Sequence, residues 1–490
     1  MALLGFQLVT TVLASFLIRR LSPYYSFGRW IIGRGLIRYI CPPDEALWDI
    51  CTNSNRELSS TAKSKYKLTQ RERKKLNSRA VPKEFKLPKN ASYDVYPTEA
   101  NTAEILTLYY SADFIWIVDF FIYSLMIFSI SELYFWLKPA AYGNELNLSI
   151  VWLLLSAFFA LKSLSSLTLV YFRIGDGGES SMCIIFASVY FLLCMVVLTV
   201  DETILEFGLS YVYDSLNRNT TRLINSSTPA APILVKIIIS VLSAIIGSVF
   251  LFPSLRLAKM HSKIVRDWSS ATWLNAQISL LLPFIVILSW VKPLARDTMV
   301  ATNVNQSRIF AEDATFNTSR LGILILLSIL RFSSIKSYLQ AHLDTALDKA
   351  ENFQKEVQQI TNLEFRKAIN HVFHYLCIAA TQHIAPVIII FDLTLLLKAL
   401  GGYSWMADET FKIIEVESSS SVFFRLLEKF LNSSELLQGS HTIAFRPLHT
   451  IFSKDILRGI MSFFTWWTCG AYFISTVFGI VYINLKSRGK

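Results

Sequence analysis

Charged side chains are scarce in this 490-residue chain. Asp, Glu, Lys and Arg make up 17% of it, against about 25% in soluble domains. With 53% hydrophobic residues, such a chain cannot cover a water-facing surface, which excludes an ordinary globular protein. Cysteine is sparse as well. Of the six, Cys183, Cys194, Cys377 and Cys469 lie inside apolar runs and only Cys41 and Cys51 lie outside them, so no disulfide framework is expected. The hydrophobic segments lack apolar–polar alternation, which excludes a transmembrane β-barrel. Signatures of catalysis are missing too. Gly175-x-Gly177-Gly178 has no following Gly-Lys-Ser/Thr and cannot be a phosphate loop. There is no nucleophile elbow, no zincin helix and no carboxylate–His cluster with metal-ligand spacing. The chain is therefore expected to be no enzyme and to hold no cofactor or metal.

What the chain has is nine long apolar runs, over residues 2–18, 114–137, 148–170, 182–200, 232–252, 273–291, 321–339, 372–397 and 460–483. At 1.5 Å per residue, about 20 residues cross a ~30 Å hydrocarbon core as a helix. A lipid-embedded segment must satisfy its own backbone hydrogen bonds, so helix is the default. The expected fold class is all-α: a polytopic helical membrane protein with about nine transmembrane helices.

The net charge of +11 is unevenly placed. The gaps 19–113, 171–181, 253–272 and 340–371, with the tail, hold 29 Lys and Arg residues; the intervening gaps hold 13. The positive-inside rule puts the first set in the cytosol. A basic loop beside a span reads as lipid-facing charge rather than a nucleic-acid site. The glycosylation sequons at Asn147, Asn219, Asn225, Asn305, Asn317 and Asn432 all fall in the outer set, and only Asn90 falls inside. Asn219, Asn305 and Asn432, away from the spans, are the candidate N-glycosylation sites. The run 321–339 is the weakest, because Arg331 interrupts it. The charges require it to span, with Arg331 snorkelling to the inner interface.

This gives an expected organisation. Residues 1–18 form a first membrane anchor, retained because no basic n-region precedes it and Arg19 and Arg20 follow directly. Residues 19–113 are a basic cytosolic loop. Its segment from Arg29 to Ile40 mixes aromatics with Arg and suits the inner-leaflet interface, and residues 52–90 read as disordered. A patch for anionic lipids at 19–90 is expected. Residues 114–339 form a six-helix membrane region. Residues 340–371 read as a cytosolic amphipathic helix, with a seam of Leu339, Leu343, Ala346, Ala350, Phe353, Val357 and Ile360. Residues 372–397 are a polar transmembrane helix, 398–456 a lumenal or extracellular loop, and 457–490 the last span with a basic tail. The N-terminus is expected outside and the C-terminus in the cytosol, in the plasma membrane or an endomembrane.

Ionisable residues inside a span are functional candidates, because lipid does not solvate them. The candidate intramembrane polar network is Asp119, Glu132, Lys162, Lys236, His374, His383 and Asp392. Depth matching pairs Asp119 with Lys162, and Lys236 with Glu132 or Asp392. On the eighth run His374, Thr381 and Asp392 share one helical face, His383 lies opposite, and Pro386 should kink the helix. That helix is the natural place for a conduction or gating element.

Several stretches resemble one family. They include Met1-Ala-Leu-Leu-Gly-Phe-Gln-Leu-Val9, Tyr25-Ser-Phe-Gly-Arg-Trp30, Phe252-Pro-Ser-Leu-Arg-Leu-Ala-Lys-Met-His261, Trp290-Val-Lys-Pro293 and Arg458-Gly-Ile-Met-Ser-Phe-Phe-Thr-Trp-Trp467. Together, in this order, they resemble the transmembrane protein 161 family over nearly the whole chain. Ser180 stands where the family pattern has Arg. The resemblance implies a multi-pass membrane protein without known enzymatic activity. It also implies links to ion-current regulation and cardiac rhythm in animals, and partners among other membrane proteins such as ion channels. The alternative is an ion channel or an ion- or proton-coupled transporter in its own right.

Overall fold

A computed structural model of the chain describes residues 6–21, 24–33, 35–51, 84–87, 94–138, 147–174, 178–214, 230–266, 271–300, 313–355, 360–401, 403, 405 and 454–488. Asn219, Asn305 and Asn432, and most of 52–90 and 398–456, lie outside the described residues. In order, the elements are α1 (Phe6–Leu21), α2 (Phe27–Ile32), β1 (Ile37–Ile40), β2 (Tyr96–Glu99), α3 (Thr102–Leu106), α4 (Ser111–Leu137), α5 (Ser149–Ile174) and α6 (Gly178–Thr199). They continue with α7 (Ala230–Ile264), α8 (Ala271–Ser289), α9 (Arg296–Met299), α10 (Asp313–Ser333), α11 (Ile335–Leu343), α12 (Thr345–Lys355), α13 (Asn362–His374), α14 (Leu376–Ala399) and α15 (Lys454–Arg488).

Among the described residues, eight helices are long and apolar enough to cross a membrane: α4, α5, α6, α7, α8, α14, α15 and the run that begins with α10. The first run forms α1, a ninth and shorter apolar helix of 16 residues. The chain divides into two compact units. One comprises Met1–Gly28, Ile115–Ile335 and Thr381–Lys490; the other comprises Arg29–Phe114 and Lys336–Ala380.

The larger unit is the membrane bundle. Helices α6, α7 and α15 pack closely because small residues meet large ones. Gly247 on α7 faces the Tyr190 ring so tightly that a Cβ there would lie 2.6 Å from it, and a Cβ on Gly479 would lie 2.8 Å from Ala258. Small residues at helix crossings allow this approach, which dispersion then rewards in lipid. Polar side chains also link the helices. The Trp467 indole N–H donates to the Ser243 carbonyl at 2.9 Å, that of Trp466 to the Ile287 carbonyl at 3.1 Å, and that of Trp290 to the Ser462 hydroxyl at 3.0 Å. Pro253, Pro283 and Pro386 all lie inside unbroken helices.

Helix α14 is the most enclosed element. Every residue from Leu376 to Leu400 is buried except Phe391, which is half-buried. Phe391 meets Phe121 of α4 edge-on at 5.7 Å. Its apolar residues run all round the helix, with no separate polar face to turn outward, so it fits the interior of a bundle.

The smaller unit is built from two chain segments that charge counting places on the same side. Strands β1 and β2 pair antiparallel, with Ile37 opposite Glu99 and Ile40 opposite Tyr96. Residues 84–87 add an isolated bridge between Lys86 and Thr361. Thr361 caps α13 in a capping box with Glu364. The core joins Cys41, Leu47, Cys51, Phe85, Leu87, Ala346, Ala350, Phe365, Ile369 and Val372.

This unit changes four expectations. Within the stretch read as disordered, Phe85 and Leu87 are buried and ordered. The Arg29–Ile40 segment does not simply lie on the leaflet: Ile32 and Leu36 are buried, and β1 pairs with β2. The single helix expected over 340–371 is three helices, and its seam residues Leu339, Leu343, Ala346 and Ala350 are buried, the last two in this unit's core. Cys41 and Cys51 are core residues rather than loop residues. All six cysteines are free and buried.

Candidate functional site

Several intramembrane charges lie on α14 or face it: His383, Asp392 and Lys398 are on it, and Arg331 and Glu132 meet it from α10 and α4. His383 lies two turns into α14, and its Nε2 is 3.4 Å from the Arg331 carbonyl of α10. Arg331 is 4% exposed and does not snorkel. Its guanidinium points into the bundle, where it donates to the Ser279 carbonyl at 3.2 Å and lies 4.6 Å from the Tyr472 ring centroid. His261 of α7 and Cys469 of α15, both buried, lie close enough to feel its charge. The inward turn has a simple cause. Ser279 and Tyr472, on α8 and α15, give the cation a carbonyl dipole and an aromatic face, where lipid would give nothing.

Asp392 is 0% exposed, and neither carboxyl oxygen has a hydrogen-bond partner among the described residues. Ser156 of α5 is a polar neighbour of this carboxyl. Asp119 of α4 accepts from the Gly28 backbone N–H at 3.0 Å through Oδ1. Glu132 of α4 forms an ion pair with Lys398 of α14, and the Trp405 indole N–H donates to the same oxygen at 3.1 Å.

The pairs expected from depth do not form. Lys162 of α5 is exposed and has no ion pair with Asp119 among the described residues. Lys236 of α7 lies 5.1 Å from the Tyr213 ring rather than beside a carboxylate. His374 is not on the polar transmembrane helix. It is the exposed last residue of α13, and Tyr375 separates it from α14. The proposed face of His374, Thr381 and Asp392 therefore reduces to Thr381 and Asp392.

Three participants escaped the sequence reading. Lys398 closes on Glu132, and its signal was a basic residue at the end of a run, matching Glu132 in depth. Tyr472 supports Arg331 and carried no signal in a generally aromatic helix. The third is a cluster among residues read as loops. There Glu206 pairs with Arg296 and, at 3.2 Å, with Arg320. The Arg320 Nε donates to the Ser289 carbonyl at 3.0 Å, and its guanidinium stacks over Trp290 and Phe316.

The chemistry on hand is that of buried charges held by dipoles, rings and counter-charges. No solved structure matches this chain. The profile described as predicted transmembrane protein 161AB matches residues 2–485, nearly the entire sequence. With eight spanning helices and that match, this chain is an integral multi-pass membrane protein and belongs to the transmembrane protein 161 family.

Proposed function

We propose that this chain is a non-enzymatic membrane protein that modulates ion currents, and through them membrane excitability, by holding a partner membrane protein against α5. The family resemblance supplies the link to ion currents and, in animals, to cardiac rhythm. The observation that carries the proposal is Lys162. Val151, Leu155, Phe158, Lys162, Ser166 and Leu169 follow one another at three- and four-residue steps and are all exposed, so they form one outward face of α5. Lys162 lies eight residues inside the Val170 end of the span, about 12 Å along the axis. A lysine near mid-span costs about 3 kcal/mol on insertion. A partner helix with Asp or Glu at matching depth would offset that cost and cover the apolar stripe.

Supporting this reading, Glu132 and Glu206 are neutralised within the chain by Lys398, Arg296 and Arg320. Closed pairs suit a scaffold better than a pathway. The proposed topology has the N-terminus outside and the C-terminus in the cytosol. It is supported by contacts between segments assigned to one side: 84–87 with 360–362 on the inner side, and Leu205 with Val291 on the outer. N-glycans at Asn219, Asn305 and Asn432 and an anionic-lipid contact at 19–90 belong to the same proposal.

The test is whole-cell current density in cells lacking the protein. Restored wild-type chain should return the currents. Lys162→Glu, at equal surface level, should not. Full rescue by Lys162→Glu contradicts the proposal.

One observation favours a second reading, a channel or a proton-coupled transporter. Asp392, fully buried on α14 with the Ser156 hydroxyl as its polar neighbour among the described residues, is the kind of carboxyl that carries protons in transporters.

A further inference from the structure

Among the described residues, Arg331 is a buried cation without a counter-charge. Arginine stays protonated in proteins, so it cannot escape by losing its proton, as a buried lysine can. Among the described residues it meets the Ser279 carbonyl and the ring and hydroxyl oxygen of Tyr472. These offer partial negative charge only. Among the described residues no carboxylate lies within ion-pair distance of it. A full charge in a low-dielectric interior is strongly unfavourable unless paired.

Two buried donors beside this charge are also unsatisfied. Among the described residues no acceptor is found for the Arg331 Nε–H or for the Tyr472 O–H, whose oxygen faces the guanidinium. They belong to side chains that touch, with the guanidinium carbon 4.6 Å from the ring centroid. Unsatisfied buried donors are rare and signal an unseen acceptor. A water molecule could fill both donors, but it would leave the positive charge uncompensated.

We propose that a small monatomic anion, chloride under cellular conditions, binds against Arg331 and accepts from its Nε–H and from the Tyr472 O–H. Size follows from enclosure. Arg331 is 4% exposed and Tyr472 is 0% exposed, so neither presents itself to a lipid headgroup or a hydrated phosphate. The anion would tie α10 to α15 and complete the electrostatics of the bundle. This site is independent of the partner face on α5.

The experiment is thermal unfolding of the purified full-length chain in detergent. Chloride replaces gluconate stepwise at constant ionic strength, from nominally none to well above a millimolar-range affinity. Binding to the folded state alone predicts a saturable rise in Tm of about 2 °C or more. Sulfate should not reproduce it. Arg331→Met should remove the chloride dependence and, in gluconate, should melt no lower than the wild type. Tyr472→Phe, which keeps the ring, should move the chloride midpoint several-fold higher. A wild-type Tm equal in chloride and gluconate overturns the proposal. So does a full chloride response in Arg331→Met, or an unchanged midpoint in Tyr472→Phe. An equal response to sulfate overturns the small-anion assignment.

Discussion

Glu132 of α4 and Lys398 of α14 form an ion pair near the ends of their helices, and Trp405 donates to the same carboxylate. Both ionic groups are largely shielded, at 18% and 10% side-chain exposure. Removing one partner leaves the other charge poorly solvated. Glu132→Gln is expected to destabilise the bundle by about 3 kcal/mol, read as a lower Tm in detergent and less protein at the cell surface. The exchange Glu132→Lys with Lys398→Glu should recover much of the loss. No recovery in the double variant would show that the two do not act as a pair.

The close approach of α6 and α7 at Gly247 makes a second prediction. A methyl there would meet the Tyr190 ring at 2.6 Å. The ring cannot yield freely, because the Tyr190 hydroxyl donates to the Ala471 carbonyl at 3.2 Å. Gly247→Ala should lower stability by about 1–3 kcal/mol, the usual cost of overpacking. Tyr190→Leu in the same chain should relieve part of it. Equal Tm values for Gly247→Ala and wild type would contradict the packing.

Three buried or half-buried acids of the smaller unit should cost it stability in alkali. Burial pushes the Cys41 and Cys51 thiols up to about 11, with the Arg366 guanidinium pulling Cys41 partly back. Burial and the Asp344 carboxylate push the Tyr39 phenol up to about 12. All three are acids held in the neutral form by folding. Their contribution is complete below pH 9, the thiol value of the unfolded chain, and is lost as pH rises through about 11 to 12. Maleimide labelling of Cys41 and Cys51 at pH 7.5 should be slow in the native protein and fast after unfolding. Rapid native labelling at both would contradict their burial.

Asn362 fixes the 84–87 segment in this unit. Its side-chain carbonyl accepts from the Phe85 backbone N–H at 3.2 Å, and its amide donates to Asp44 at 3.2 Å. Asn362→Asp replaces that donor with a carboxylate facing Asp44. Repulsion should release Phe85 and Leu87 from the core. Limited proteolysis between residues 52 and 90 should then accelerate several-fold. An unchanged cleavage rate would contradict this role.

The spans were legible because lipid imposes one rule on every residue of a run. Charge parity also identified α10 as a span despite Arg331. What a run cannot show is which way a charge turns. Arg331 read as snorkelling because the interface was within reach, while Ser279 and Tyr472 were on other helices. Lys162 and Asp119 matched in depth but not in facing direction, and depth alone does not set rotation. His374 was assigned to the eighth run because hydropathy does not register the break at Tyr375. The smaller unit was least legible. Its core gathers short pieces such as Phe85, Leu87 and Cys51 from a stretch dominated by Lys and Arg. Three apolar residues spread through such a stretch produce no periodic signal.

The intramembrane charges are proposed to serve structure and partner binding rather than transport. Ion flux through liposomes containing only the purified, correctly folded chain tests this most directly. No flux of protons, sodium, potassium or chloride above that of protein-free liposomes is expected. Flux that is present in the wild type and lost in Asp392→Asn and His383→Ala would contradict this proposal and establish α14 as a conduction path.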